Sequence, residues 1–235
     1  MVDGLASAEV GELLRLLAHD LRNPLSAVDS NVSFLEAELE PRSALARESL
    51  DDLKLSCDGL ARIVDSVEVL GRFLQGQVAE ERRPAPLHVL LGEAVEVSRS
   101  HARSHGVEIA VTDDCTSRAL DVVVGRESFT RAVRALLQNS IQHGPQGSQV
   151  TLGLREQQEH VVVVVSDTGA PLEADMLEGA FTAAGQLRAK RRGGGRYSAG
   201  LGLFCARICA DAAGVRVRAS TSSSGNAFEL VAPRA

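Results

Sequence analysis

The chain is 235 residues long, and its 25 Lys plus Arg against 31 Asp plus Glu give a formal charge of −6, so it offers no diffuse attraction to nucleic acid or anionic lipid. One Tyr, no Trp and an aromatic content of 3% leave little material for base-stacking platforms or an aromatic substrate groove. Hydrophobic residues at 44% and charged ones at 24% exclude wholesale disorder, and the length points to two small domains, each with its own core.

No apolar run approaches the roughly 18 to 20 residues of a membrane-spanning helix. The longest tempting stretch, Val161 to Val165, is strand length. Met1 to Ala8 carries an acidic residue, Asp3, and no basic lead into an apolar core, so no secretion signal is read. Cys57, Cys115, Cys205 and Cys209 form no CxxC pair, which points to reduced thiols in a soluble, cytoplasmic protein. Cys205 and Cys209 lie one helical turn apart and could share a metal or redox role, against their plain reading as small buried residues.

In chain order, apolar residues fall at Leu14, Ala18, Leu21, Leu25, Val28, Val32, Leu35 and Leu39, alternating steps of three and four as in the seam of a helix bundle. Pro41 ends this run, and after Ser43, a cap, the pattern resumes at Ala46, Leu50, Leu53, Cys57, Leu60, Val64 and Val67. A lone helical hairpin cannot cover its own seam. Two copies make a closed four-helix bundle, so a homodimer through residues 8–76 is expected. Residues 77–86, polar and carrying Pro84 and Pro86, read as a linker. Over 87–235 the predicted elements are a helix at 89–104, strands at 107–111 and 119–124, a helix at 127–143, strands at 150–154 and 160–166, a glycine-rich stretch at 185–202, a helix at 201–213 and two closing strands. That order suggests an α/β sandwich with helices on one face of a sheet, and an α+β chain as a whole.

Chemistry concentrates first in Ala18–Leu25, AHDLRNPL. His19 lies beside the seam and should project toward solvent, with Arg22 and Asn23 on the same face. Pro24 interrupts a helix that otherwise continues, at a cost of about 3 kcal/mol. An exposed His beside a carboxylate has the makings of a nucleophile, since Asp20 can fix the tautomer or take the proton. A plain surface histidine is the alternative.

This segment resembles the H box of sensor histidine kinases. The resemblance implies that His19 accepts the γ-phosphate of ATP, that Asp20 is its acid/base partner, and that Asn23 positions water when a response regulator is dephosphorylated. It also implies that the predicted hairpin is similar to that family's dimerization and phosphotransfer domain.

Three further segments resemble the family's nucleotide boxes. In RALLQNSIQHGPQGS, Asn139 resembles the N-box Asn that coordinates Mg²⁺, a hard ion suited to an amide oxygen; helical spacing puts Gln142 and His143 on the same side. VVVVVSDTG resembles the G1 box, whose Asp, here Asp167, takes a hydrogen bond from the adenine amine while Gly169 lets the chain turn closely. Taken alone, a strand followed by Asp and Gly is also a common turn signature. SAGLGLFCARICADAAG resembles the G2 box, with Gly200 and Gly202 in a tight loop and a helix from Leu201 aimed at the phosphates. Lys190, Arg191 and Arg192 with Gly193 to Gly195 read as a basic lid. Together the boxes resemble the Bergerat fold, with ATP and Mg²⁺ as cofactors.

Pro171 stands at the second G1 glycine, Ser198 at the first G2 glycine, Ala135 at the first N-box Asn and Gln142 at a usual basic position, while the region around Phe181 is a thin F box. The expectation is an autophosphorylating kinase that passes phosphate to an aspartate of a separate receiver domain. With 18 residues ahead of His19 and no receiver following, a separate sensory or regulatory protein is expected to supply the signal. The departures motivate the alternative of a phosphotransfer or pseudokinase scaffold with a degenerate ATP-binding domain.

Overall fold

A computed structural model describes Asp20, Leu21, Pro24, 26–28, Ser30, Asn31, Phe34, Leu35, 44–74, 80–112, Cys115, 120–191 and 201–235. The described residues between Asp20 and Leu35, Pro24 included, are helical. The predicted turn around Pro41 and Ser43 lies outside the described residues. Helix α1, Ala44–Leu74, spans about 46 Å at the standard rise. It has two apolar sides: Leu50, Val64 and Val67 on the predicted seam are exposed, Val64 at 55%, whereas Ile63, Val69 and Leu70 are buried.

Strand β1, Arg83–Pro86, pairs antiparallel with β3, Asp121–Val124. This corrects the reading of 83–86 as linker: Pro84 and Pro86 are tolerated because the pair is a two-stranded sheet of its own, where a missing N–H need not disrupt a central ladder. Helix α2, Leu87–Ser104, β2, Glu108–Val111, and α3, Arg126–His143, follow close to their predicted bounds. Next come β4, Gln149–Glu156, β5, His160–Asp167, α4, Ala174–Gly179, and α5, Ala183–Arg191. Helix α6, Gly202–Ala213, then leads into β6, Arg216–Ser222, and β7, Gly225–Pro233.

The main sheet runs β2-β4-β5-β7-β6. Only β2 and β4 pair in parallel; the remaining pairs are antiparallel. Alternation along β5 sends Val161, Val163 and Val165 into the core. They meet Phe129, Leu136, Leu137 and Ile141 of α3 and Ile208 of α6 within one buried cluster. This layer of helices over one face is the expected sandwich, and it leaves the C-terminal end of β5 facing the ends of α3 and α6. Lys190 and Arg191 end helix α5 instead of beginning a lid; Arg192 to Ser198 lie outside the described residues.

The start of α3 is held from outside its own segment. The Glu80 carboxylate accepts the backbone N–H of Glu127 at 3.0 Å and of Ser128 at 2.9 Å, satisfying donors that no residue of the helix can reach. Burial works against its charge, yet these bonds and the Arg72 charge win, so its pKa lies below the usual carboxylate value.

Candidate functional site

A cavity of about 280 Å³ opens where β5 ends, between α3 and α6. That is near the small end of the range for ligand pockets, roughly 300–1,000 Å³. Its polar residues come from elements that the buried valines of β5 and the apolar face of α3 lock in place.

Asp167, the last residue of β5, is 4% exposed. Its Oδ1 accepts the Gly169 N–H at 3.0 Å and the Asn226 side-chain amide at 3.1 Å. Among the described residues, no protein donor reaches Oδ2, so one carboxylate oxygen is held and the other can accept from a ligand. Gly169 has no room for a side chain, because a β-carbon there would lie 2.8 Å from the His143 carbonyl oxygen. The predicted G1 and N boxes are therefore packed directly together.

Asn139, Gln142 and His143 line the same cavity, as their helical spacing predicts. The Asn139 amide faces the start of α6, since a β-carbon on Gly202 would sit 3.9 Å from its Oδ1. Among the described residues, no protein hydrogen bond engages that amide. Desolvation lowers the His143 pKa and the nearby Asp167 charge opposes the shift, so the ring is neutral at neutral pH. Leu201 is the N-cap residue of α6 and is buried, but no side chain caps the helix. The first N–H groups of α6, at the cavity-lining Gly202 and Leu203, are thus available to an anion.

These residues suit Mg²⁺ held jointly with a ligand. Among the described residues, no cluster of three or more His, Cys, Asp or Glu side chains could cage a metal, while the Asn139 Oδ1 offers the single neutral oxygen that suffices when phosphate oxygens and water complete the shell.

Of the predicted phosphotransfer residues, Asp20 is helical and buried, whereas His19 and Asn23 lie outside the described residues, as does Gly200. Cys205 and Cys209 are free thiols that line the cavity. Burial pushes their pKa values up to about 12 and about 11 respectively, as the plain reading of small buried residues expects.

Two groups of residues went unrecognised in the sequence. Asn226 follows a Ser/Gly turn and looks like part of it, so no local pattern marked it. Arg62, Asp65 and Ser66 of α1 also line the cavity, so the stem helix forms part of its wall. Arg134 of α3 pairs with Asp65 at 2.7 Å, and an Arg62 nitrogen lies 2.9 Å from Nδ1 of the buried His101. Burial first, then the Arg62 charge and His105, depress the His101 pKa to about 2. Helix periodicity marks apolar faces, not polar pairs between distant helices.

Family models match residues 125–235, as a histidine kinase-, DNA gyrase B- and HSP90-like ATPase, and residues 9–76, as a His Kinase A phospho-acceptor domain. The sensor protein KdpD of Clostridium acetobutylicum is 25% identical over 224 residues, 92% of this chain and 24% of that protein. The adaptive-response sensory kinase SasA of Synechocystis sp. is 25% identical over 228 residues, 94% of this chain and 58% of that protein. The chain thus spans about a quarter of the one and a little over half of the other. The solved histidine kinase ThkA, in complex with response regulator protein TrrA, matches in fold with a TM-score of 0.65 at 18% identity, over 97% of this chain and 63% of that one.

Proposed function

Because the chain belongs to the two-component sensor histidine kinases, we propose that it phosphorylates His19 from ATP and passes the phosphate to an aspartate of a separate response-regulator receiver domain. The observation that carries this reading is the cavity itself. A buried carboxylate with one unengaged oxygen, an unengaged Asn139 amide and an uncapped helix start all converge there, matching a base, a metal and a phosphate chain in turn.

Asp167 holds the base by accepting from its amine, and the first turn of α6 holds the phosphates. Asn139 would hold Mg²⁺, which would supply charge to neutralise the phosphates. An imidazole nitrogen of His19 attacks the γ-phosphorus, the bond to the ADP oxygen breaks, and Asp20 takes the ring proton. Asn23 positions water in the reverse duty of removing phosphate from the regulator. Exposure of Leu50, Val64 and Val67 supports a homodimer through residues 8–76, with the regulator docking on its stem and a separate sensory or regulatory protein setting its activity. No described helix is long and apolar enough to cross a membrane, and a cytoplasmic site of action is part of the proposal.

The second reading, a phosphotransfer or pseudokinase scaffold, draws support from Pro171 in the G1 turn and from α1 side chains that occupy part of the cavity wall. Incubation with γ-labelled ATP and Mg²⁺ separates the two. Acid-labile, base-stable label on the wild type and none on His19→Gln is expected. An unlabelled wild type that still relays phosphate from a phosphorylated partner would establish the scaffold instead.

A further inference from the structure

Asn226 is buried at 6% exposure and faces Asp167 and Thr221 across the strand pairs of β7. Its amide nitrogen donates to Asp167 Oδ1 and to the Ala170 carbonyl, both at 3.1 Å. Its amide oxygen accepts the Leu172 N–H at 2.9 Å and the Thr221 hydroxyl at 3.1 Å. Two donors and two lone pairs are the full capacity of an asparagine side chain. The orientation is settled by the partners: a flipped amide would set its carbonyl against a carboxylate and another carbonyl, and its NH₂ against a backbone N–H.

The backbone is shaped to bring this residue in. Gly225 has φ +132°, and a β-carbon there would fall 1.9 Å from the Asp167 carbonyl oxygen, so the chain passes against the end of β5 where only glycine fits. On the other side stands Pro171, which has no N–H to donate and a fixed φ. The Ala170 carbonyl and the Leu172 N–H that flank it are the two groups Asn226 takes up.

We propose that Asn226 is a positioning residue for base recognition, clamping Asp167 and the turn around Pro171 so that the nucleotide meets one fixed carboxylate oxygen. This rests on the nucleotide reading above. Asp167, Ala170, Leu172 and Asn226 all line the cavity. With Oδ1 occupied by Asn226 and Gly169, Oδ2 is presented to the ligand. An exocyclic amine, as on adenine, donates to it, whereas a carbonyl at that position, as on guanine, would oppose it. Pro171, a departure from the family pattern, is thereby accommodated by a side chain from another strand.

The test measures binding of Mg²⁺ with AMPPNP and with GMPPNP to the full chain, for wild type, Asn226→Ala and Asn226→Asp, each checked for folding by circular dichroism. In Asn226→Ala, AMPPNP affinity is expected to fall about tenfold or more while GMPPNP affinity changes less than threefold, because the phosphate-binding end is untouched. Asn226→Asp is nearly isosteric but sets a second carboxylate beside Asp167. Its AMPPNP deficit relative to wild type should be large at pH 8 and shrink at least threefold at pH 5.5, where a shared proton restores a donor toward Asp167. Comparing with wild type at each pH cancels the titration of His143, which faces Asp167, and of the other ionisable groups that line the cavity, Asp65, Arg62, Arg131, Arg134, Cys205 and Cys209, all of which the variant shares. A folded Asn226→Asp that matches wild type at pH 8, or whose deficit is the same at both pH values, overturns the proposal. If wild type binds neither nucleotide, the nucleotide reading fails and the proposal with it.

Discussion

Helices α1 and α3 are both long and amphipathic, and Arg134 and Asp65 join them, yet they finish their cores differently. Every large apolar residue on the inner side of α3, from Phe129 to Ile141, is covered by its own chain. On α1, Ile63, Val69 and Leu70 are covered by the chain, and Leu50, Val64 and Val67 are not. An apolar stripe too wide for one contact serves two. The ATPase-like half closes its core within one chain, while the stem has one face against that half and another exposed, the face that the proposed second copy would cover.

The sharpest way to break this contrast is at the cavity. Asn139→Ala should reduce ATP-dependent labelling at least a hundredfold while sedimentation still reports the same oligomer. Label persisting in that variant would move the metal site elsewhere. On the stem, Val64→Lys with Val67→Lys should weaken self-association about a hundredfold or more, since two buried Val side chains at about 1.5–3 kcal/mol each contribute about 3 kcal/mol or more; nucleotide affinity should not change. Unaltered association would remove the second face from the account.

The contact between the halves gives the next effect. His101 is neutral when packed against Arg62, with its pKa depressed to about 2, and it returns toward 6.5 once the chain unfolds. A depressed folded value means that the unfolded state binds the proton first. Stability is then full above pH 6.5 and falls with acidification, by about 1.4 kcal/mol at pH 5.5. Urea titrations of wild type and His101→Asn should show a steeper loss of stability on acidification in the wild type, the part left in the variant including that of His143, whose pKa burial also lowers; equal slopes would contradict it. Glu80 gives the smallest effect. Glu80→Ala should cost about 1 kcal/mol as a lost helix cap. Because the folded pKa of Glu80 is lowered from 4.5, its contribution is present above that value and lost as pH falls through the folded one. A chemical-denaturation midpoint unchanged at pH 7 would contradict it.

What was legible in the sequence follows the same division. Helix and strand bounds in the catalytic half came from apolar periodicity and turn residues, because there burial is decided within the chain. Asp167, Gly169, Asn139 and Gly202 were found through the resemblance of their segments to the family's nucleotide boxes; periodicity alone marks only the strand end at Asp167 and the helix that carries Asn139. Asn226, Glu80 and Arg62 were not, because their roles depend on polar partners far away in the sequence: Asp167, the start of α3 and His101. Arg83–Pro86 was misread for a related reason, since two prolines signal a break locally while the partner strand β3 decides otherwise.

The central claim is that the cavity of the catalytic half charges one histidine on the stem. Digestion of the full chain under alkaline conditions after incubation with ATP and Mg²⁺, followed by mass spectrometry, locates the phosphate directly. The account predicts phosphate on the peptide carrying His19 and its absence when AMPPNP replaces ATP. Phosphate found on a different residue, or on none while bound nucleotide is detected, would contradict it.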